Sequence, residues 1–136
     1  EVFVHARDPF VRIDILDTSR PVRVVVGGEV VAQTTRARFL FETGLPVRHY
    51  IPREDVREDL LGPSDTVSAC PYKGIARYWS INAGGQVFSD IVWSYPDPVH
   101  ESARVKDYLC FFNERVDSLS VDNIEEVKPK TKWSPD

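Results

Sequence analysis

The sequence predicts a mainly β domain of antiparallel sheets carrying one short helix. Turn signals recur about every ten residues, the spacing of an all-β domain. Glycine pairs interrupt runs of valine, isoleucine and aromatic residues, which is the signature of hairpins. Only one stretch has convincing helical periodicity.

The first hairpin is RPVRVVVGGEVVAQ, residues 20–33. Gly27-Gly28 can take the positive φ of a two-residue turn, which sets Val25 opposite Val30 and Val24 opposite Val31. A second hairpin, RARFLFETGLPVRHYI, turns across Thr43 to Pro46. PREDVREDLL, residues 52–61, is the predicted helix. Proline and acids stand at its start, Val56, Leu60 and Leu61 share a face, and Gly62-Pro63 stops it.

The longest hairpin, KGIARYWSINAGGQVFSDIVWSY, turns at Gly84-Gly85. A two-residue loop there sets Ala83 opposite Gln86, Ile81 opposite Phe88, Trp79 opposite Asp90 and Arg77 opposite Val92. The other face then carries Ala76 opposite Trp93 and Tyr78 opposite Ile91. PDPVHESARV reads as a crossover loop, and KDYLCFFNERVDSLSV supplies one or two last strands. Residues 1–122 are thus expected to form one domain, opening with the strand-like VFVHA. Residues 123–136 are expected to be a loosely held polar tail. The lack of any methionine suggests a processed N-terminus or an excised piece.

Composition narrows the function classes. The net charge of −4 argues against a general nucleic-acid binder, which needs a basic face to displace counterions. No run approaches the roughly 18 apolar residues of a membrane span. The two cysteines, Cys70 and Cys110, form no C-x-x-C pair, so a thiolate zinc site has no support. Both read as reduced thiols of a cytoplasmic protein. No cofactor and no metal site are expected. The chain has no phosphate-binding glycine loop, no H-E-x-x-H and no G-x-S-x-G.

Three stretches hold candidate chemistry. In FETGLPVRHY the two-residue strand period groups Arg38 with Glu42 and Arg48 with Tyr50. Arg48 can clamp a carboxylate or phosphate, with Glu42 accepting a proton or orienting the arginine; a structural Glu–Arg pair is the alternative. In CPYKG, Lys73 precedes a strand and can reach a phosphate or carbonyl. Cys70 reads as structural, since His5, His49 and His100 are scattered and none adjoins it. In the long hairpin, Asp90 and Arg77 stand among Ile75, Ile81 and Phe88, so they are either buried and compensated or line a pocket.

FETGLPVRHYIPREDV, LLGPSDTVSACPYKGIARYWSI, DIVWSYPDP and FFNERVD together resemble the bacterial family called domain of unknown function 427, over roughly residues 12 to 122. The resemblance implies a β-tent of the Mss4-like type, whose sheets lean together over a cleft. It also implies that this chain is the second of two tandem domains. The family carries a nucleotidyltransferase-like label, but the acidic metal ligands and phosphate-cradling loop of such chemistry are not seen here. Zinc, common in other β-tent families, does not carry over without their C-x-x-C knuckles. The positions carried over as site candidates are Glu42, Arg48, Tyr50, Tyr72, Lys73, Tyr78, Trp79, Asp90 and Trp93.

The leading expectation is a cleft for a small anionic metabolite or nucleotide. Arg48 and Lys73 hold the anion, with Arg77 beside Lys73; Trp79 and Tyr50 wall the pocket; Glu42 and Asp90 orient the cations. One alternative is an enzyme with Glu42 or Asp90 as base and Lys73 or Tyr78 as electrophilic partner. Another is a protein-interaction module.

Overall fold

The computed structural model describes residues 11–135; the VFVHA strand expected at the start lies outside them. The protein is mainly β, built from two antiparallel sheets. The larger has seven strands in the order β1-β4-β5-β9-β8-β7-β6. These are β1 (Ile13–Asp17), β4 (Arg38–Glu42), β5 (Arg48–Ile51), β6 (Leu61–Cys70), β7 (Gly74–Ala83), β8 (Gln86–Ser94) and β9 (Leu109–Phe111). The smaller has the order β11-β10-β2-β3, with β2 (Val22–Val26), β3 (Glu29–Thr34), β10 (Ser118–Val121) and β11 (Ile124–Glu125).

Strict alternation in β2 sends Val22, Val24 and Val26 into the core and leaves Arg23 exposed. They meet Leu40, Ile51, Ile81, Val92, Leu109 and Phe111 of the large sheet in one apolar cluster. Val25 does face Val30, but a bulge then places Val24 opposite Ala32 and not Val31. The bulge turns two consecutive β3 residues, Val31 and Ala32, inward.

Residues 52–61 do not form the predicted helix. They form two single 3-10 turns, Arg53–Asp55 and Glu58–Leu60, and neither has a side-chain cap. Between them Val56 is extended and bridges Ala32, while Arg57 N–H donates to the Val31 carbonyl at 2.8 Å. A helix this short is marginal on its own. The open edge of β3 offers its backbone better partners, and Leu61 already begins β6. Residues 100–105 of the expected crossover loop are also 3-10, kinked at Ser102.

The long hairpin starts as read, with Ala83 opposite Gln86 and Ile81 opposite Phe88. Beyond Ile81 the register slips by two residues. Trp79 faces Val92, Arg77 faces Ser94 and Tyr78 faces Trp93. The excess is taken up around Asp90, which has φ +54° and donates its N–H to Ser80 Oγ at 3.2 Å. Its carboxylate accepts from Thr66 Oγ1 at 2.7 Å. An even slip leaves every side chain on the face the sequence assigned it.

The two sheets meet where two hairpin turns touch. Gly27 and Gly84 both have φ +59°, and a Cβ on Gly84 would stand 2.4 Å from the Gly27 carbonyl oxygen. The Gly84 N–H donates to Glu29, and the Gly28 N–H to Asp117. After β11 the chain, expected to be loose, turns back onto the body. Trp133 packs partly buried against the core, and Arg115 Nε holds its carbonyl at 2.7 Å.

Gly84→Ala should destabilise the protein by roughly 2–4 kcal/mol, from left-handed strain plus overpacking. Gly85→Asn, at φ +76° with nothing within 4 Å, should be close to neutral. Urea unfolding of both variants measures the difference.

Candidate functional site

β4, β5, the turn between β6 and β7, and the returning C-terminal segment enclose a cleft of about 450 Å³. The turn Cys70–Gly74 is held from behind. The Val99 N–H donates to the Lys73 carbonyl at 3.0 Å and Ser102 Oγ to the Tyr72 carbonyl at 3.0 Å. Gly74 has φ +114°, and a Cβ there would press on the backbone of Asp97 and Pro98. The glycine is what lets the chain reverse so close to residues 97–99. This turn delivers Lys73 to the cleft, and the end of β4 delivers Glu42 opposite it.

Lys73 Nζ donates to Glu42 Oε1, with both side chains nearly buried. Glu42 therefore pairs with Lys73, not with Arg48. Arg48 has its own carboxylate, Glu114, in the segment FFNERVD. Its NH1 donates to Glu114 Oε1 and to Asn113 Oδ1, and its NH2 to Glu114 Oε2 at 3.0 Å. The Arg48 and Glu114 side chains are 6% and 0% exposed. Burial works to lower the arginine pKa, but the hydrogen bond to Glu114 holds it above its ordinary value. Burial likewise works to raise the Glu114 carboxyl, and hydrogen bonds from Arg48 and Thr131 keep it below the ordinary range.

Aromatic rings surround this pair. The guanidinium carbon lies 5.2 Å from the Trp93 ring, 5.5 Å from Trp133 and 5.7 Å from Phe112, all cation–π range. Tyr78 stacks on Phe112 at 6.5 Å, and Trp93 packs on it at 4.5 Å. Trp93 Nε1 donates to the Tyr50 hydroxyl at 3.0 Å, so Tyr50, fully buried, stands behind the wall and supports it. Burial pushes its phenol well above the ordinary value.

Six of the residues expected at the site line this cleft: Glu42, Arg48, Tyr72, Lys73, Tyr78 and Trp93. Three do not. Arg77 is exposed, and strand alternation places it and Trp79 on the face opposite Tyr78. Trp79 packs instead under Arg53 at 4.6 Å. Asp90 sits at its bulge with Thr66, away from the cleft lining. Cys70, read as structural, does line the cleft and is a free thiol. Sequence reasoning left Glu114, Phe112, Tyr95 and Trp133 unassigned. A glutamate inside the apolar run CFFNERV was the available signal for Glu114. Trp133 gave none, because its neighbours are polar.

Among the described residues no group of three or more His, Cys, Asp or Glu is placed to hold a metal ion. None of their helices is long and apolar enough to cross a membrane. A family model described as Domain of unknown function (DUF427) matches residues 14–122. The chain belongs to this family. The DUF427 match takes in β2 through β10, with all of β1 but Ile13, and hence Glu42, Arg48, Lys73, Trp93 and Glu114, and it ends before Thr131 and Trp133. No curated protein matches the chain.

Two measurements test these assignments. Arg48→Ala strands the Glu114 charge in the interior and should cost about 3–5 kcal/mol in denaturant unfolding. The second concerns His49, on the other face of β5. It is buried, and its Nδ1 has no hydrogen-bond partner among the described residues. Burial, with Arg48 nearby, lowers its pKa from 6.5 to about 4. As pH falls through 6.5 the unfolded chain takes the proton first, so stability is lost towards acid. The protein should be about 2 kcal/mol less stable at pH 5 than at pH 8 on this account, and His49→Gln should remove that difference.

Proposed function

We propose that the cleft binds a small anionic metabolite or nucleotide, the ligand's ring against the aromatic wall and its charge met by Lys73. What carries the reading is one convergence. A lysine side chain only 10% exposed shares a single cleft with the rings of Tyr78, Trp93 and Phe112. Small-molecule sites combine apolar walls with a few directed polar groups in this way. An ammonium has three N–H donors, and Glu42 takes one. Arg48, its charge matched by Glu114, acts as part of the wall. The setting we assign is the bacterial cytoplasm, where both free thiols stay reduced.

The Lys73–Glu42 contact favours a second reading, an acid–base enzyme on the same site. Glu42 takes a proton, and Lys73 or Tyr78 polarises the substrate. Asp90, outside the cleft, has no part in it.

A thermal-shift screen against nucleotides, sugar phosphates and carboxylates tests the binding reading. An anion at about 100 times its Kd should add roughly 2.7 kcal/mol to stability. The paired change Glu42→Gln with Lys73→Met keeps the shape and removes both charges, and it should abolish the shift without unfolding the protein. No shift from any anion would overturn the reading. For the enzyme reading, the stabilising ligand should be consumed by the wild type and not by Glu42→Gln.

A further inference from the structure

The family match ends at Asp122, yet Lys132 and Trp133 line the cleft. This wall is therefore built by a segment beyond the family-matched part of the chain. Residues 126–130 have no helix or strand, and Val127 is 94% exposed. The chain then docks. Thr131 Oγ1 donates to Glu114 Oε2 at 2.7 Å and accepts the Trp133 N–H at 3.1 Å. The Trp133 ring lies 6.3 Å from Phe112 and 5.5 Å from the Arg48 guanidinium, and Lys132 Nζ stands 4.9 Å from that ring.

We propose that residues 127–135 are a strap that gates the family cleft and selects its ligand, Trp133 stacking on a planar ring and Lys132 favouring an anion beside it. The selection rests on reading the cleft as a ligand site; the gate does not. The anchoring is light enough to release. It comprises one hydroxyl on Glu114, one carbonyl held by Arg115 and the packing of one indole on Phe112 and the Arg48 guanidinium. When Thr131 leaves, Glu114 keeps its hydrogen bonds from Arg48.

Cys70 supplies a test that needs no ligand. It lines the cleft and is partly exposed, whereas Cys110 is buried and its thiol is pushed up to about 12. Labelling of the full chain by a bulky maleimide is followed by mass spectrometry in wild type, Trp133→Ala and Thr131→Val. Both variants should label Cys70 at least about fivefold faster, with Cys110 unlabelled. Unchanged Cys70 rates would overturn the gate. If Trp133→Ala exposes Cys110, it has unfolded, and Thr131→Val, which keeps the side-chain shape, decides. Selection is read by titrating adenosine monophosphate and ribose 5-phosphate. Trp133→Ala should lower the preference for the ring-bearing anion about tenfold. An unchanged preference would overturn selection by the strap. Binding of neither probe by the wild type would overturn the ligand reading and selection together, and the thiol rates would still judge the gate.

Discussion

The buried pair Arg48–Glu114 is the constraint around which the cleft is organised. A charge placed in an apolar interior needs a partner with matched geometry and filled hydrogen bonds. Each requirement recruits another part of the chain. The guanidinium comes from β5, the carboxylate from the loop after β9, and the remaining carboxylate capacity is filled by Thr131 of the C-terminal segment. Asn113 accepts one further guanidinium N–H at Oδ1 and donates its own side-chain N–H to the Val47 carbonyl. The rings of Trp93, Phe112 and Trp133 then exclude water from the pair and take up its positive face. The cleft wall is thus the outer surface of a buried electrostatic unit. Its shape depends on that unit staying intact.

Much of the fold was legible in the sequence because hairpins announce themselves locally. The glycine pairs at 27–28 and 84–85 fixed both turns, and the two-residue period fixed which side chains point inward. What stayed hidden depends on partners far along the chain. Val56 is extended because the edge of β3 is open beside it, and no feature of PREDVREDLL reveals that edge. The bulge at Asp90 is similar. Its backbone is held by Ser80 and its carboxylate by Thr66, a residue 24 positions away. Counting from a turn cannot see where a strand will gain residues.

The site was legible in its members more than in its pairings. Glu42, Arg48 and Lys73 were all singled out, but strand spacing suggested that Glu42 and Arg48 would serve each other. In the fold each finds a different ion, 31 positions away for Glu42 and 66 for Arg48. Oppositely charged residues sort by three-dimensional proximity, and sequence neighbours on adjoining strands have no privilege once a turn from elsewhere arrives. Arg77 and Trp79 keep the face that the strand period assigned them, opposite Tyr78 and Trp93, so one cleft could not hold both sets, and Asp90 is taken up by the bulge. Trp133 was hidden for a plainer reason, since one tryptophan in a polar stretch has no periodicity to read.

The slip in the β7–β8 hairpin has a consequence for how such chains can diverge in length. A strand side alternates with every residue, so inserting one residue would exchange the cleft face, with Tyr78 and Trp93, for the outer face, with Arg77 and Trp79. Inserting two leaves the faces in place and moves only the cross-strand neighbours. The region around Asp90 already accommodates such an excess, with its backbone turned to a positive φ and its polar groups satisfied locally. It is therefore a natural joint for gain or loss of residues in pairs. Homologous chains could differ in length there by even numbers and still present the same aromatic wall.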